Sequence, residues 1–170
     1  MTFLIDGYNL LHAVGWANRR FAPGKLEAAR RKLLDWLADS VAVKAGTVRV
    51  RVVFDAQKGS APSAGQSHRG VLVQFAFRRT ADDEIEDLLD AERKPTELIV
   101  VSNDTRLQES ARRSGAKSWS SQVFLDWLIE AERADPSSPH APPPEKPDGP
   151  VPLTETEELL RAFTKPKPRK

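Results

Sequence analysis

Along the first 132 residues, short apolar runs alternate with stretches of helical periodicity. Thr2–Ile5 is a β-rich run that stops at Asp6. Apolar residues at Leu26, Ala29, Leu33, Leu37 and Val41 recur at the spacing of one helix face, predicting a helix over Leu26–Val43 that starts after Pro23-Gly24. Val48–Phe54 reads as a strand ending at Asp55, and Val71–Phe77 as another with period-2 apolar positions. Asp82–Glu92 reads as helix and Leu98–Val101 as a short buried strand running into Ser102-Asn103-Asp104. Leu107–Ser114 is helical and closes on Gly115, a good residue for a helix C-terminus. Lys117–Trp119 is the last predicted strand, and Gln122–Glu132 the last helix, with Ser121 as its N-cap. Strands separated by helices imply βαβ units, hence an α/β fold with a mostly parallel sheet covered on both faces.

The pattern changes at about residue 135. Residues 135–152 hold eight of the chain's thirteen prolines and no apolar period, the composition of a linker. Thr154–Phe163 is helix-forming, with Leu159, Leu160 and Phe163 on one side, and Lys165–Lys170 is a basic arm. The organisation expected is a domain over 1–134, a proline-rich linker over 135–152, and a short amphipathic segment with a basic tail over 153–170.

Composition narrows the chemistry. With 26 basic and 24 acidic residues among 170, the net charge of +2 decides nothing. The absence of cysteine excludes disulfides and thiolate metal sites. No apolar run approaches the roughly 20 residues that span a bilayer, and Phe3-Leu4-Ile5 meets Asp6 too early for a signal peptide. A soluble cytoplasmic protein is expected. There is no phosphate-cradling glycine loop of either common type, and His12, His68 and His140 lack metal-ligand spacing.

The carboxylates carry the main signal. Asp6, Asp55 and Asp104 each follow an apolar run, and ligands in parallel sheets gather at the carboxyl ends of strands. Each has an ordinary alternative as a turn or helix-capping residue. In Thr80–Asp87, Thr80 with Asp83 reads as a helix cap, and acids in a first turn complement the helix dipole. On a helical wheel, Ile85, Leu88 and Leu89 mark the buried side. Asp82 lies roughly 70° from its centre and Glu86 roughly 110° on the same flank, while Asp83, Asp87 and Asp90 point to solvent. Clustered carboxylates repel unless a cation neutralises them, and oxygen-only ligands favour Mg²⁺ or Mn²⁺. Such sites hydrolyse phosphodiesters.

With Asp6-Gly-Tyr-Asn9, Thr80-Ala-Asp82-x-x-Ile85-Glu86 and Ser102-Asn-Asp104 in this order, residues 1–132 resemble the NYN family of PIN-like nucleases, in particular its bacterial YacP-like branch. Val-Val-Phe54-Asp55-Ala is also similar to that branch. The resemblance implies a PIN-like three-layer α/β/α sandwich and a Mg²⁺- or Mn²⁺-dependent endoribonuclease. It implies Asp6, Asp82 and Asp104 as the catalytic, metal-binding acids, with Asp55 and Glu86 as further ligands and Asn9 in support, and it implies association with the ribosome. RNA would need cations near those acids, because phosphate contacts supply most of the affinity. Candidates are Arg78 and Arg79 ahead of the acidic helix, Lys58 and Arg69 in the Gln57–Gly70 loop, and Arg19, Arg20 and Lys25 after the first motif. The long 57–70 loop is expected to close over substrate. The tryptophans read as core or edge residues. The rival readings are a non-catalytic RNA- or ribosome-binding module on the same fold, and a phosphatase or DNA nuclease using the same metal centre.

Overall fold

The computed structural model describes residues 1–17, 25–56 and 65–134. Lys58, Arg19 and Arg20, the linker at 135–152 and the segment at 153–170 lie outside the described residues. Six strands form one sheet: β1 (Thr2–Asp6), β2 (Arg49–Asp55), β3 (Gln66–His68), β4 (Val71–Ala76), β5 (Leu98–Val101) and β6 (Lys117–Trp119). Their order is β3-β4-β2-β1-β5-β6, all parallel except β3. The helices are α1 (Gly7–Ala13), α2 (Lys25–Asp39), α3 (Val41–Lys44), α4 (Ala81–Asp90), α5 (Thr105–Arg113) and α6 (Ser121–Ala134), with a 3₁₀ turn at Pro95–Glu97. Among the described residues no helix is long and apolar enough to cross a membrane.

Alternation along the strands divides the core into two layers. Phe3, Ile5, Val50, Val52, Phe54, Val73 and Ile99 face a cluster built with Leu10, Leu33, Leu37 and Phe124 of α1, α2 and α6. Leu4, Val53 and Val100 face Ala81, Ile85 and Leu89 of α4 and Leu107 and Ala111 of α5. The sandwich is therefore three-layered, and β5, buried at every position, reads as the continuous apolar run of a strand covered on both faces. β1 lies between β2 and β5, so the chain builds outward on one side of it and then crosses to the other. That reversal opens a crevice at the carboxyl ends of β1 and β5.

Several local expectations change. The Leu26–Val43 helix is interrupted at Ser40, whose hydroxyl donates to the Leu37 carbonyl at 2.7 Å and ends α2. Ser121 is the first residue of α6, not its cap; Ser120 Oγ accepts from the Val123 N–H instead. Gly7–Ala13 adds a helix, α1, that the pattern did not predict, too short to display a helical period and capped by Asp6. The C-terminal part of the 57–70 loop is the edge strand β3, joined to β4 by a two-residue turn whose residues Arg69 and Gly70 both have positive φ, 49° and 94°. That is the backbone of a tight hairpin, and Gly at the second position fits it.

Candidate active site

Asp6, Asp55, Asp82 and Asp104 all lie at the carboxyl edge of the sheet, delivered by β1, β2, the start of α4 and the loop after β5. Two are fixed by capping the helices that follow them. Asp6 Oδ1 accepts from the backbone N–H groups of Tyr8 and Asn9, both at 3.1 Å, and Oδ2 accepts from Asn9 Nδ2 at 2.7 Å. Asp104 Oδ1 accepts from the Arg106 N–H at 2.7 Å. Thr80 and Asp83 form the reciprocal cap of α4. Asp55 Oδ1 accepts from the Ala81 N–H at 2.6 Å, tying β2 to that same helix end.

Asn9 has both ends of its amide in use. While Nδ2 holds Asp6, Oδ1 accepts from the Asn103 N–H at 3.4 Å, and Asn103 Oδ1 in turn accepts from the Ser121 N–H at 2.9 Å. The chain Asp6–Asn9–Asn103–Ser121 thus links the ends of β1 and β5 to α6, which places Asn9 in a positioning role.

Asp82 differs from its neighbours. It is half-buried, and among the described residues its carboxylate makes no hydrogen bond or ion pair. Burial pushes its pKa up, the charges of Asp6 and Asp104 push it further, Arg106 opposes, and Asp55 adds to the rise. Asp6, only 5% exposed, is also raised. Burial is the largest cause there, the hydrogen bonds from Asn9 and Tyr8 oppose it, and Asp55 contributes repulsion. The four aspartates therefore feel one another across one crevice, at a cost in stability that a cation would remove.

Glu86 faces elsewhere. Arg106 Nε reaches it at 3.2 Å, Ser110 Oγ also donates to it, and these bonds hold its carboxyl below the usual range, that from Arg106 most strongly. Asp83, placed toward solvent on the wheel, also pairs with Arg106, at 2.9 Å. Glu84, which the wheel did not single out, is 7% exposed and bonded by Gln74 of β4 and by Arg79.

Among the expected cations, Arg79 is committed to Asp87 and Glu84. Arg78 stays exposed at the acidic edge. Arg69 sits at the opposite edge of the sheet. It precedes Val71, which pairs with Val50, whereas Asp55 pairs with Ala76. The five residues between imply about 16 Å of strand. Its guanidinium is held there by Asp39 at 2.6 Å and Asp35 at 3.7 Å of α2.

Sequence reasoning passed over Arg30. It lies in the apolar stripe of α2, four residues after Leu26 and three before Leu33, and a lone arginine at that spacing was the available signal. It is 5% exposed. Its Nη2 donates to the Asp55 carbonyl at 3.0 Å and to the Tyr8 hydroxyl. The guanidinium also lies 5.3–5.5 Å from the ring centroids of Phe75, Tyr8 and Phe54. Arg106 was missed as well, although a cation in the first turn of a helix opposes the helix dipole and asks for another reason to be there.

Among the described residues, no three His, Asp or Glu side chains are close enough together to hold a metal ion. The donor chemistry still suits a hard cation, because every available group is a carboxylate or amide oxygen and Asp82 has an open carboxylate. The arrangement fits Mg²⁺ or Mn²⁺ bound through one or two carboxylates with retained waters; it is not a closed cage.

Comparison with known proteins bears on the family and the fold. The sequence profile described as YacP-like NYN domain matches residues 3–146, running past the described domain into the proline-rich segment. The crystal structure of Rae1 (YacP) from Bacillus subtilis is similar over 96% of this chain and 92% of that one, at 29% identity and a TM-score of 0.63. The crystal structure of a mutant of the same Bacillus subtilis protein is similar over 78% and 77%, at 29% identity and a TM-score of 0.60. No curated protein matches the sequence.

Proposed function

The chain belongs to the YacP-like NYN domain family, and from that premise we propose that it is a metal-dependent endoribonuclease whose site is the crevice of Asp6, Asp82 and Asp104. NYN domains are in general nucleases, which supports a hydrolase acting on RNA. The observation that carries it is Asp82, a half-buried carboxylate without a partner among the described residues, set against Asp6 and Asp104, which their caps hold still. A Mg²⁺ or Mn²⁺ ion bound there would supply a water of lowered pKa and stabilise the leaving oxygen. Asp82 is the first ligand in this reading, Asp6 and Asp104 flank it, and Asp55 stands behind. Asn9 holds the Asp6 carboxylate, and Arg30 holds the backbone carbonyl of Asp55. Arg78 meets the RNA backbone. The domain at 1–134 carries the activity, and ribosome-associated mRNA in the cytoplasm is the proposed target.

One observation favours a second reading. The acids do not close on one another among the described residues, as expected of an RNA- or ribosome-binding module that keeps the fold without the chemistry. Incubating the full chain with end-labelled RNA, with and without Mn²⁺, separates the two. Asp6→Asn, Asp82→Asn and Asp104→Asn are the informative variants, because asparagine caps a helix about as well as aspartate. Loss of Mn²⁺-dependent cleavage in all three, with folding retained, is the expected result. Cleavage that survives in all three sinks the site, and RNA binding without any wild-type cleavage selects the module.

A further inference from the structure

The loop joining β4 to α4 carries an exposed aromatic side chain, Phe77, beside the exposed Arg78. At one end of this loop Ala76 is the register partner of Asp55, and its carbonyl accepts from the Ala56 N–H at 2.9 Å. At the other end the Ala81 N–H donates to the Asp55 carboxylate at 2.6 Å. Phe77–Thr80 are thus pinned on both sides of Asp55, beside Asp82. Within them Phe77 is 39% exposed, among the few large apolar side chains left open in the described residues. The Arg78 guanidinium lies 5.2 Å from the Phe77 ring centroid, and Arg78 makes no ion pair among the described residues. Its backbone is left-handed, φ 61°, a conformation that glycine or asparagine adopts at less cost than arginine. Arg79, next in the chain, is by contrast fully engaged by Asp87 and Glu84.

We propose that Phe77 and Arg78 form a nucleotide subsite of the crevice, in which the Phe77 ring stacks on an unpaired base of single-stranded RNA and Arg78 meets the adjoining phosphate. This rests on the ribonuclease reading above. An acidic centre repels the polyanion it must cut, so affinity has to come from groups beside it. Stacking supplies affinity without charge and accepts any base, since every base has a π-face. A base inside a duplex is already stacked on its neighbours, so the subsite selects single strands and splayed-out loops over helices. The Arg78 guanidinium lies over one face of the ring at 5.2 Å, which leaves the other face for a base and sets a cation beside it.

Binding of the full chain to a labelled single-stranded oligoribonucleotide in EDTA tests this. The control is an oligomer of the same length with abasic sugars, and Mn²⁺-dependent cleavage is measured in parallel. Phe77→Ala is expected to weaken binding of the base-bearing RNA about tenfold and to leave the abasic oligomer unchanged, while Phe77→Trp preserves the preference for bases. Arg78→Gly relieves the backbone, so its melting temperature stays level or rises, yet it weakens binding to both oligomers and flattens the salt dependence by about 0.7 in the log–log slope. Phe77→Ala binding both oligomers like wild type, or losing affinity for both equally, overturns the subsite while wild-type cleavage keeps the ribonuclease reading intact. Wild-type protein that binds without cutting, with the base-dependent loss still present, supports the subsite and removes the ribonuclease. A wild-type chain that neither binds nor cuts RNA overturns both.

Discussion

Gly7 opens α1 between Asp6 and Tyr8, and its replacement by alanine sets two effects of opposite sign against each other. Alanine is favoured over glycine within a helix by about 1 kcal/mol, so local propensity alone makes Gly7→Ala stabilising. The packing says otherwise. A Cβ at this position would stand 2.2, 2.4 and 2.8 Å from three carbons of the Phe54 ring, where carbon pairs settle at about 3.5–4.0 Å. The ring has little room to move. It is fully buried, edge-on to Tyr8 at 5.6 Å, stacked on Phe75 at 5.9 Å, and has the Arg30 guanidinium 5.5 Å from its centroid. Overpacking of this kind costs about 1–3 kcal/mol, and the rigid surroundings of the ring put this case toward the upper end, which leaves a net destabilisation of about 2 kcal/mol after the propensity gain. Urea unfolding of the full chain measures it directly. Because the cost resides in one contact, Phe54→Leu is expected to be less damaging in the Gly7→Ala background than in wild type, by about 1 kcal/mol. An unfolding midpoint equal to or above wild type, or strictly additive costs in the double variant, would refute the reasoning. RNA cleavage is expected to fall by more than the stability loss explains, since Asp6 precedes Gly7 and Asp55 follows Phe54.

The Arg30 guanidinium donates to the Asp55 carbonyl at 3.0 Å and stacks among three rings. Arg30→Met keeps the stem but loses a charged hydrogen bond and the stacking, so the unfolding free energy should drop by about 2–3 kcal/mol. Arg30→Lys should recover little of this, because an ammonium cannot lie flat against the rings while bonding at its edge; full recovery by lysine argues against the planar role. Asp6 and Asp82 have pKa values raised above the ordinary 3.8. The folded chain therefore holds more protons than the unfolded one in the window above 3.8, and stability contributed by these two groups falls as pH rises through it. Asp82→Asn removes that repulsion and, in metal-free buffer at neutral pH, should raise stability by less than about 1 kcal/mol while cleavage is lost; a lower melting temperature in a pH-resolved thermal scan contradicts it. At Asp104, alanine should cost about 1 kcal/mol through the lost cap while asparagine costs little, and circular dichroism melts of the two variants compare them directly.

Much of the fold could be read from periodicity because each long strand alternates or is wholly apolar and α2, α4 and α6 each keep a clear stripe. The short α1 and β3 could not, although the three-residue β6 was predicted with its observed bounds. α1 is fixed by Asp6 as a cap and by Gly7 fitting against Phe54, a contact 47 residues away in sequence, and β3 exists only as the partner of β4. At the site, the strand-end aspartates were legible because the chain itself punctuates apolar runs with them. The cations were not. Arg69 is adjacent in sequence to β4 but enters at the sheet's amino edge, and a loop's sequence does not say which edge it serves. Glu84 was not singled out on the wheel, yet Gln74 and Arg79 give its buried carboxylate two donors. Arg30 was visible only as a polar residue in an apolar stripe, and its meaning depends on three rings and a carbonyl brought from two strands and a helix.

The sequence left two readings for Asp6 and Asp104, a helix cap or a member of an acidic centre, and treated them as competing. Both caps are present, and under the proposed function the two readings describe one arrangement. A capping carboxylate accepts backbone N–H groups on one oxygen, which fixes the orientation of the other without withdrawing it from the crevice, and the first turn of the helix beneath holds the negative charge in place. Asp82 follows a different rule: it lies one residue inside α4, whose cap is already made by Thr80 and Asp83, so its carboxylate is left with repulsion from Asp6 and Asp104 and no donor among the described residues. In the proposed site, two acids oriented by their caps and a third whose pKa is raised by burial and by its acidic neighbours would be stabilised by a bound cation. The fold supplies the rigidity, and the unpartnered third acid supplies the demand.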